Sequence, residues 1–381
     1  MEKRKQQGLL RNLRLLEGEQ EVRVKIDGRN VINFCSNNYL GLANDPRLKD
    51  AAIEAIKKYG LGSGASRLVC GNMVLHKKLE EKIAEFKNQE ACLVFNSGYT
   101  ANLGIISAIM DKDGIVFSDR LNHASIIDGI VLSRANFRRF PHNDMSALEE
   151  LLNLNNNPKK KLVVTDTVFS MDGDIASLPE IVKICQKNNA LLMIDEAHAT
   201  GIFGKMGGGV AQHFGLKDEI DIQMGTLSKA MGCFGAFVCG KKDLIDYLIN
   251  FSRAFIYTTS LPPSICASSI KAIEIIQLEP ERRQRLWTNI KFLKEQLCNL
   301  GFNTLKSNSA IIPILIKNPI LTMEFSQSLF EEGIFVQGIR PPTVARNESR
   351  LRITVTSKHC LEDLEFALEK LKKIGRKLCL I

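Results

Sequence analysis

The sequence predicts an α/β protein: a large domain with a mostly parallel sheet, followed by a smaller α+β domain at the C-terminus. Three observations lead to this expectation. Short apolar runs alternate with stretches of helical periodicity over the first two thirds of the chain. Those runs are continuous rather than alternating, which suits strands buried on both faces. The 381 residues also exceed what one hydrophobic core serves, so two packed domains are expected.

In chain order, residues 1–45 read as an N-terminal arm, 46–264 as the large domain and 265–381 as the small one. Asp45-Pro46 followed by Leu48, Ala52, Ile53, Ile56 and Gly60 predicts a capped helix, with an acceptor at the N-cap, proline at the first turn and glycine at the stop. Residues 74–86 have apolar positions at helical spacing. Strands are expected at 91–95, 114–118, 162–169, 190–194, 220–224 and 234–239. Beyond 265 come two long helices, strands near 310–316, 334–337 and 351–355, and helices near 323–332 and 361–373. No repeat, low-complexity tract or flexible linker interrupts the pattern.

Composition narrows the function classes. With 45% hydrophobic and 24% charged residues, the chain is neither disordered nor fibrous. The ten cysteines form no C-x-x-C pair and none stands at metal-ligand spacing from a histidine, so they read as reduced thiols and no metal is expected. The start, Met1-Glu2-Lys3-Arg4-Lys5-Gln6, is too polar for a signal peptide's apolar core, and no apolar run approaches the ~20 residues of a bilayer span. The expected compartment is the cytoplasm, with no membrane or nucleic-acid partner. A net charge of +9 is spread along the chain, as on a plain soluble surface; preference for an acidic substrate or partner is the other reading.

Three segments carry chemistry. Met193-Ile194-Asp195-Glu196-Ala197-His198 ends an apolar strand in acidic residues, and open α/β sheets bind ligands at the carboxyl ends of their strands. The same letters name a helicase class, but no G-x-x-x-x-G-K-[ST] loop is present; a salt-bridged structural aspartate remains open. Gly225-Thr226-Leu227-Ser228-Lys229-Ala230-Met231-Gly232 places a lysine in a turn of small residues after the next strand, as an imine-forming amine would be. Alone, such a pair is more often an exposed loop lysine. Asn96-Ser97-Gly98-Tyr99-Thr100-Ala101-Asn102 follows a strand and opens a helix, which suits a phosphate or an ordinary turn. Together, a lysine, a strand-end carboxylate and a phosphate cradle match the fold-type-I pyridoxal-phosphate enzymes, whose chemistry requires all three.

The likeness extends well beyond these segments. Residues 33–42 (Asn33-Phe34-Cys35-Ser36-Asn37-Asn38-Tyr39-Leu40-Gly41-Leu42), Gly62-Ser63-Gly64-Ala65-Ser66-Arg67, Asp119-Arg120-Leu121-Asn122-His123-Ala124-Ser125, Phe169-Ser170-Met171-Asp172-Gly173-Asp174 and Tyr257-Thr258-Thr259-Ser260-Leu261-Pro262-Pro263 occur in order. From about residue 30 almost to its end, the chain resembles the α-oxoamine synthases, which condense an amino acid with an acyl thioester and release carbon dioxide. The resemblance implies pyridoxal 5′-phosphate held as a Schiff base on Lys229, with Asp195 at the pyridinium nitrogen and His123 stacked on the ring. Without it, His123 reads as an ordinary helix-start histidine. His198 and Ser170 match residues near the phenolic oxygen, and Ser97, Gly98, Tyr99 and Thr226 match phosphate-side contacts. Thr259 matches a phosphate contact supplied by the neighbouring subunit, which implies a homodimer.

Within the family, Gly338-Ile339-Arg340-Pro341-Pro342-Thr343-Val344 and Ser349-Arg350-Leu351-Arg352-Ile353-Thr354-Val355-Thr356 resemble the biotin-pathway branch. That branch joins L-alanine to a pimeloyl thioester of coenzyme A or an acyl carrier protein. Substrate contacts implied are Arg352 on the amino-acid carboxylate, where planar bidentate pairing is needed, together with Asn37, Arg340 and Arg11. Lys229 would remove the Cα proton, and His123 and Ser170 would donate to the thioester oxyanion. Branches acting on glycine or serine share the cofactor residues and are the alternatives, as is a regulatory homologue without catalysis. Ala65, Cys70 and Asn38 depart from the family's frequent Gly, Ser and Asp. None of the three supplies a group the chemistry requires.

Overall fold

A computed structural model describes residues 4, 7, 9–154, 160–216 and 218–381; apart from Arg4, the polar stretch 1–6 lies outside them. Two compact units emerge: residues 45–169 with 176–280, and residues 1–44 with 170–175 and 281–381. The boundary expected near 264 therefore lies at 280. Helix Pro263–Leu278 packs on helix Pro46–Tyr59, and Ser268 Oγ donates to the Leu48 carbonyl at 3.1 Å.

Among its described residues the larger unit builds a seven-stranded sheet. Its order is Ala91–Phe95, Ala236–Gly240, Ile222–Thr226, Leu191–Asp195, Lys160–Asp166, Gly114–Asp119 and Asn136–Phe140. Ala236–Gly240 runs antiparallel to both neighbours, and the other pairs are parallel. The central strands are buried on both faces, as continuous apolar runs require. Leu93, Val116, Val164 and Met224 pack with Ala101, Ile105, Ile126 and Ile130 of helices Gly98–Ile109 and Ala124–Ser133. Edge strand Asn136–Phe140 was not expected. Its Asn-Phe-Arg-Arg-Phe sequence is polar, which only an edge accommodates. The cap at Asp45 forms as expected: its carboxylate accepts from Arg47 N at 3.1 Å, and Gly60 closes the helix at φ 80°.

In the other unit, the expected N-terminal arm is built into a sheet. Arg23–Ile26 and Arg29–Asn33 form a hairpin whose turn residues Asp27 and Gly28 have φ of 49° and 79°, the positive pair a type I′ turn needs. Ile334–Phe335 adds to Arg29–Asn33 in parallel, whereas Gln337–Ile339 joins Ser349–Thr354 and Ile311–Lys317. The single strand expected at 334–337 is thus divided between two sheets.

Buried His359 couples this unit to pH. It stacks on Phe34 at 4.3 Å, its Nδ1 accepts from Thr356 N at 3.0 Å, and Nε2 meets the Asn33 carbonyl at 3.2 Å. Burial pulls its pKa down to about 4. Between about pH 6.5, where an unfolded histidine titrates, and about 4, the unfolded chain holds the proton and the folded one does not. Stability is therefore lost as pH falls through that window, by about 3 kcal/mol from this group. Urea unfolding of the wild type and His359→Asn should show the shallower acid slope in the variant; equal slopes would refute the assignment.

No helix among the described residues is long and apolar enough to cross a membrane.

Candidate active site

The larger unit gathers its reactive side chains along one edge of the sheet. Six strands run in one direction, and beyond their carboxyl ends come Ser97, Lys229, Asp195, Asp166 and His123. The reversed strand has a local cause. Residues 227–235 return the chain as a hairpin, with Leu227 N donating to Gly235 O at 2.9 Å and Gly232 N to Lys229 O at 2.9 Å. Gly235 permits that return at φ 108°, where a Cβ would also press on the Phe95 carbonyl at 3.1 Å. The hairpin carries Lys229, half-buried, at its tip. Thr226 Oγ1 donates to Gly235 O at 2.8 Å and accepts from Ser228 N at 3.2 Å, so its hydroxyl shapes this loop.

Asp195 ends its strand buried, with both oxygens acting as acceptors. Ala197 N donates to Oδ1 at 2.9 Å, and Asn102 Nδ2 donates to Oδ2 at 2.8 Å. Asp166 lies beside it in register on the neighbouring strand and accepts from His123 N at 2.9 Å. Burial, then the Asp195 charge, pushes the Asp166 carboxyl well above the usual range, opposed by that N–H bond. His123 caps helix Ala124–Ser133. Its Nδ1 lies 2.7 Å from Ser125 Oγ and accepts from Ser125 N at 3.3 Å. Burial holds the imidazole below its ordinary range, offset in part by Asp195 and reinforced by Lys229. His198 is buried three residues after Asp195.

Ser97 caps helix Gly98–Ile109, accepting from Thr100 N at 3.2 Å. The first N–H groups of that helix, at Gly98 and Tyr99, have no acceptor within the helix. Tyr99 OH donates to Asp128. Asn96 Nδ2 donates to Thr258 Oγ1 at 3.0 Å and to the Thr259 carbonyl at 2.8 Å, tying exposed Thr259 to the strand end that leads into Ser97.

The second unit holds the arginines. Arg352 is buried. Its Nε donates to Ser170 O at 2.6 Å, and both terminal nitrogens donate to Asn37 Oδ1 at 3.2 Å. Tyr39 OH donates to the same Asn37 oxygen at 3.1 Å. These partners are all neutral. Arg350, on the same face of the strand, is instead ion-paired with Asp172 and bonded to Glu348 O at 2.8 Å. The two arginines of the Ser-Arg-Leu-Arg stretch thus divide: one is ion-paired to a loop aspartate, and the other has only neutral hydrogen-bond partners. Arg340 is buried against Gly338 O (3.2 Å), Met323 Sδ (3.0 Å) and Leu10 O, with Nε lacking any partner. Burial, then the charge of Arg11, lowers the Arg340 pKa. Arg11 itself donates to Thr343 Oγ1 at 2.9 Å.

Sequence reasoning missed Asn102, Ser125 and Asp166 as site residues. A signal existed for the first: Asn102 is the one amide in the helix Gly-Tyr-Thr-Ala-Asn-Leu-Gly-Ile-Ile-Ser-Ala-Ile, and it faces the core.

The donor set fits pyridoxal phosphate. It offers an amine on a rigid hairpin, a strand-end carboxylate already oriented by N–H donors, an imidazole, and a helix N-terminus with a hydroxyl for the phosphate. Comparison with known proteins agrees. The model of the aminotransferase class I and II family matches residues 29–371. An 8-amino-7-oxononanoate synthase of Thermoanaerobacter pseudethanolicus is 50% identical over 100% of this chain and 97% of its own length. A solved structure of SPT with PLP superposes with a TM-score of 0.94 at 34% identity, covering 97% of this chain and 94% of that one. The crystal structure of 8-amino-7-oxononanoate synthase from Francisella tularensis gives 0.80 at 33%, covering 91% and 98%. With the family model spanning most of its length and the cofactor's donor set in place, this chain belongs to the aminotransferase class I and II family, as a fold-type-I pyridoxal-phosphate enzyme of the α-oxoamine synthase group.

Proposed function

We propose that this enzyme joins L-alanine to a pimeloyl thioester with loss of carbon dioxide, the reaction its 8-amino-7-oxononanoate synthase relatives are named for and a step toward biotin. The observation that carries the substrate reading is Arg352, a buried cation whose hydrogen-bond partners are neutral oxygens. A carboxylate of the incoming amino acid would complete it, and Asn37 holds the guanidinium plane ready. Pyridoxal phosphate, when bound, supplies the ring that accepts electrons from the amino acid's Cα. Ser97, the N–H groups of Gly98 and Tyr99, and the Thr226 loop would receive its phosphate, with Thr259 of a second copy completing that contact. Asp195 would accept a hydrogen bond from the ring nitrogen and keep that nitrogen protonated, and His198 would lie near the phenolic oxygen. Lys229 would hold the group and, as a free amine, would take the Cα proton. His123 and Ser170 donate to the thioester oxygen as charge develops there. Arg340, with its unpartnered Nε, and Arg11 bind the far carboxylate of the pimeloyl chain.

The homodimer is supported by exposed apolar side chains: Leu61, Leu68, Val69 and Tyr257 lie on segments joined by Ser63 Oγ donating to Ser260 O at 2.8 Å. Light scattering should report twice the mass of one chain, and a monomeric active enzyme would remove the shared site. The cytoplasm is the proposed compartment, and fractionation of cells tests it.

The deciding experiment pairs L-alanine, glycine and L-serine with pimeloyl, acetyl, succinyl and palmitoyl thioesters, each on coenzyme A and on acyl carrier protein. Turnover confined to L-alanine with the pimeloyl group establishes the reading; preference for glycine or serine refutes it. Arg352→Met is expected to raise KM for the amino acid about 100-fold, the loss of a charge-assisted bidentate pair, with a smaller change in KM for the thioester. Arg340→Met should show the opposite split.

A further inference from the structure

The hydrogen bonds of the larger unit run in one direction from Asp195 to His123, and the direction is chemically determined. A carboxylate accepts only, so the Asn102 atom 2.8 Å from Asp195 Oδ2 is the amide NH2. That same nitrogen stands 2.9 Å from Ser125 Oγ, which therefore accepts from it. The Ser125 hydroxyl proton is left to donate elsewhere, and His123 Nδ1 is 2.7 Å away. Ser125 N–H reaches the same Nδ1 at 3.3 Å. With two donors aimed at it, Nδ1 carries no proton of its own.

We infer that Asn102 is a positioning residue: through Ser125 it holds His123 as a neutral imidazole protonated on Nε2, while its other N–H orients the Asp195 carboxylate. One amide thereby sets both groups that flank the proposed ring site. His123 becomes a fixed donor rather than a base. Its outer edge offers an N–H suited to a carbonyl oxygen gaining negative charge, and it has no lone pair there to take a proton.

Packing supports the arrangement. Asn102, Ser125 and Asp195 are all buried, so water does not compete for these bonds. Helices Gly98–Ile109 and Ala124–Ser133 approach closely because residue 129 is glycine; a Cβ there would lie 2.9 Å from the Asn102 carbonyl. Three charged groups act on His123: Asp195 and Asp128 favour its protonation, and Lys229 opposes it. Burial is the largest influence and favours the neutral ring.

This inference rests on the cofactor site proposed above, and not on the substrates. The tautomer is read from long-range proton–nitrogen couplings of the cofactor-loaded enzyme with isotope-labelled histidine, His123 being assigned by its loss in His123→Gln. The wild type should show a neutral ring with the proton on Nε2 at neutral pH. Ser125→Ala removes the stronger donor to Nδ1, and the Nδ1-protonated form should rise about tenfold, as for one lost hydrogen bond. Ser125→Thr keeps the hydroxyl and should restore the wild-type pattern. Asn102→Leu, close in shape, frees the Ser125 hydroxyl to turn and should resemble Ser125→Ala. If Asn102→Leu does not fold, the two Ser125 variants decide. A wild-type His123 protonated on Nδ1 or on both nitrogens would overturn the inference, as would a Ser125→Ala spectrum identical to wild type. The measurement contains no substrate, so a failed substrate screen leaves it standing; an enzyme that binds no cofactor would instead refute the site.

Discussion

Lys229→Ala is expected to lower turnover by at least about 10³-fold and to abolish the visible absorbance of the cofactor-loaded enzyme. Both losses follow from the two roles proposed for this one side chain, attachment and proton removal. The hairpin predicts that the effect is chemical rather than structural. Residues 227–235 are held by Leu227 N to Gly235 O, Thr226 Oγ1 to Gly235 O and Gly232 N to Lys229 O, none of which uses the lysine amine. Those bonds should keep the variant folded, with stability changed only by the loss of the amine's own contacts. Absorbance, turnover and denaturation on the same preparations check this. A folded variant with normal turnover would remove Lys229 from the chemistry; a variant that fails to fold would show that the hairpin depends on the lysine after all.

The parts of the site visible in the sequence were those carried by a strand and its next few residues. Asp195 ends an apolar run and Lys229 follows one within a few residues, so local pattern suffices to place them at the carboxyl edge of a sheet. Asn102 is different: its partner Asp195 is 93 residues away, and no local pattern joins them. The hairpin at Asp27-Gly28 was legible as a dipeptide signal but was absorbed into an expected arm, because its third partner, Ile334–Phe335, comes from the far end of the chain. Edge strand Asn136–Phe140 was hidden by its two arginines, which an apolar template rejects and a sheet edge tolerates. Arg350 and Arg352 show the limit of a motif. They share a strand face and a residue type, and only the position of Asp172 separates the ion-paired arginine from the one with neutral partners, proposed above to bind the substrate carboxylate.

Lys87→Met should produce the largest loss of stability, about 3–5 kcal/mol, because it leaves a fully buried carboxylate without its partner. Lys87 ends helix Val74–Lys87, and its amine meets Glu196 and the Gly208 carbonyl, with both charged groups essentially out of solvent. Glu196 Oε1 also accepts from Ala211 N at 2.9 Å, and its backbone N donates to Met224 O at 2.8 Å, so the pair anchors the turn that follows Asp195. The adjacent loop is shaped to admit the carboxylate: residue 209 is glycine at φ 116°, and a Cβ there would overlap Glu196. Removing both charges tests the cause. In Lys87→Met with Glu196→Gln, the buried site holds no net charge, and the glutamine oxygen can still accept from Ala211 N. The double variant should therefore be more stable than Lys87→Met alone, although two changes have been made. Denaturant midpoints of the four proteins in the cycle give the coupling directly, and additive losses would mean that the pair contributes packing rather than charge compensation. Because Glu196 follows Asp195 in the chain, Lys87→Met should also weaken cofactor binding, with the double variant recovering part of it.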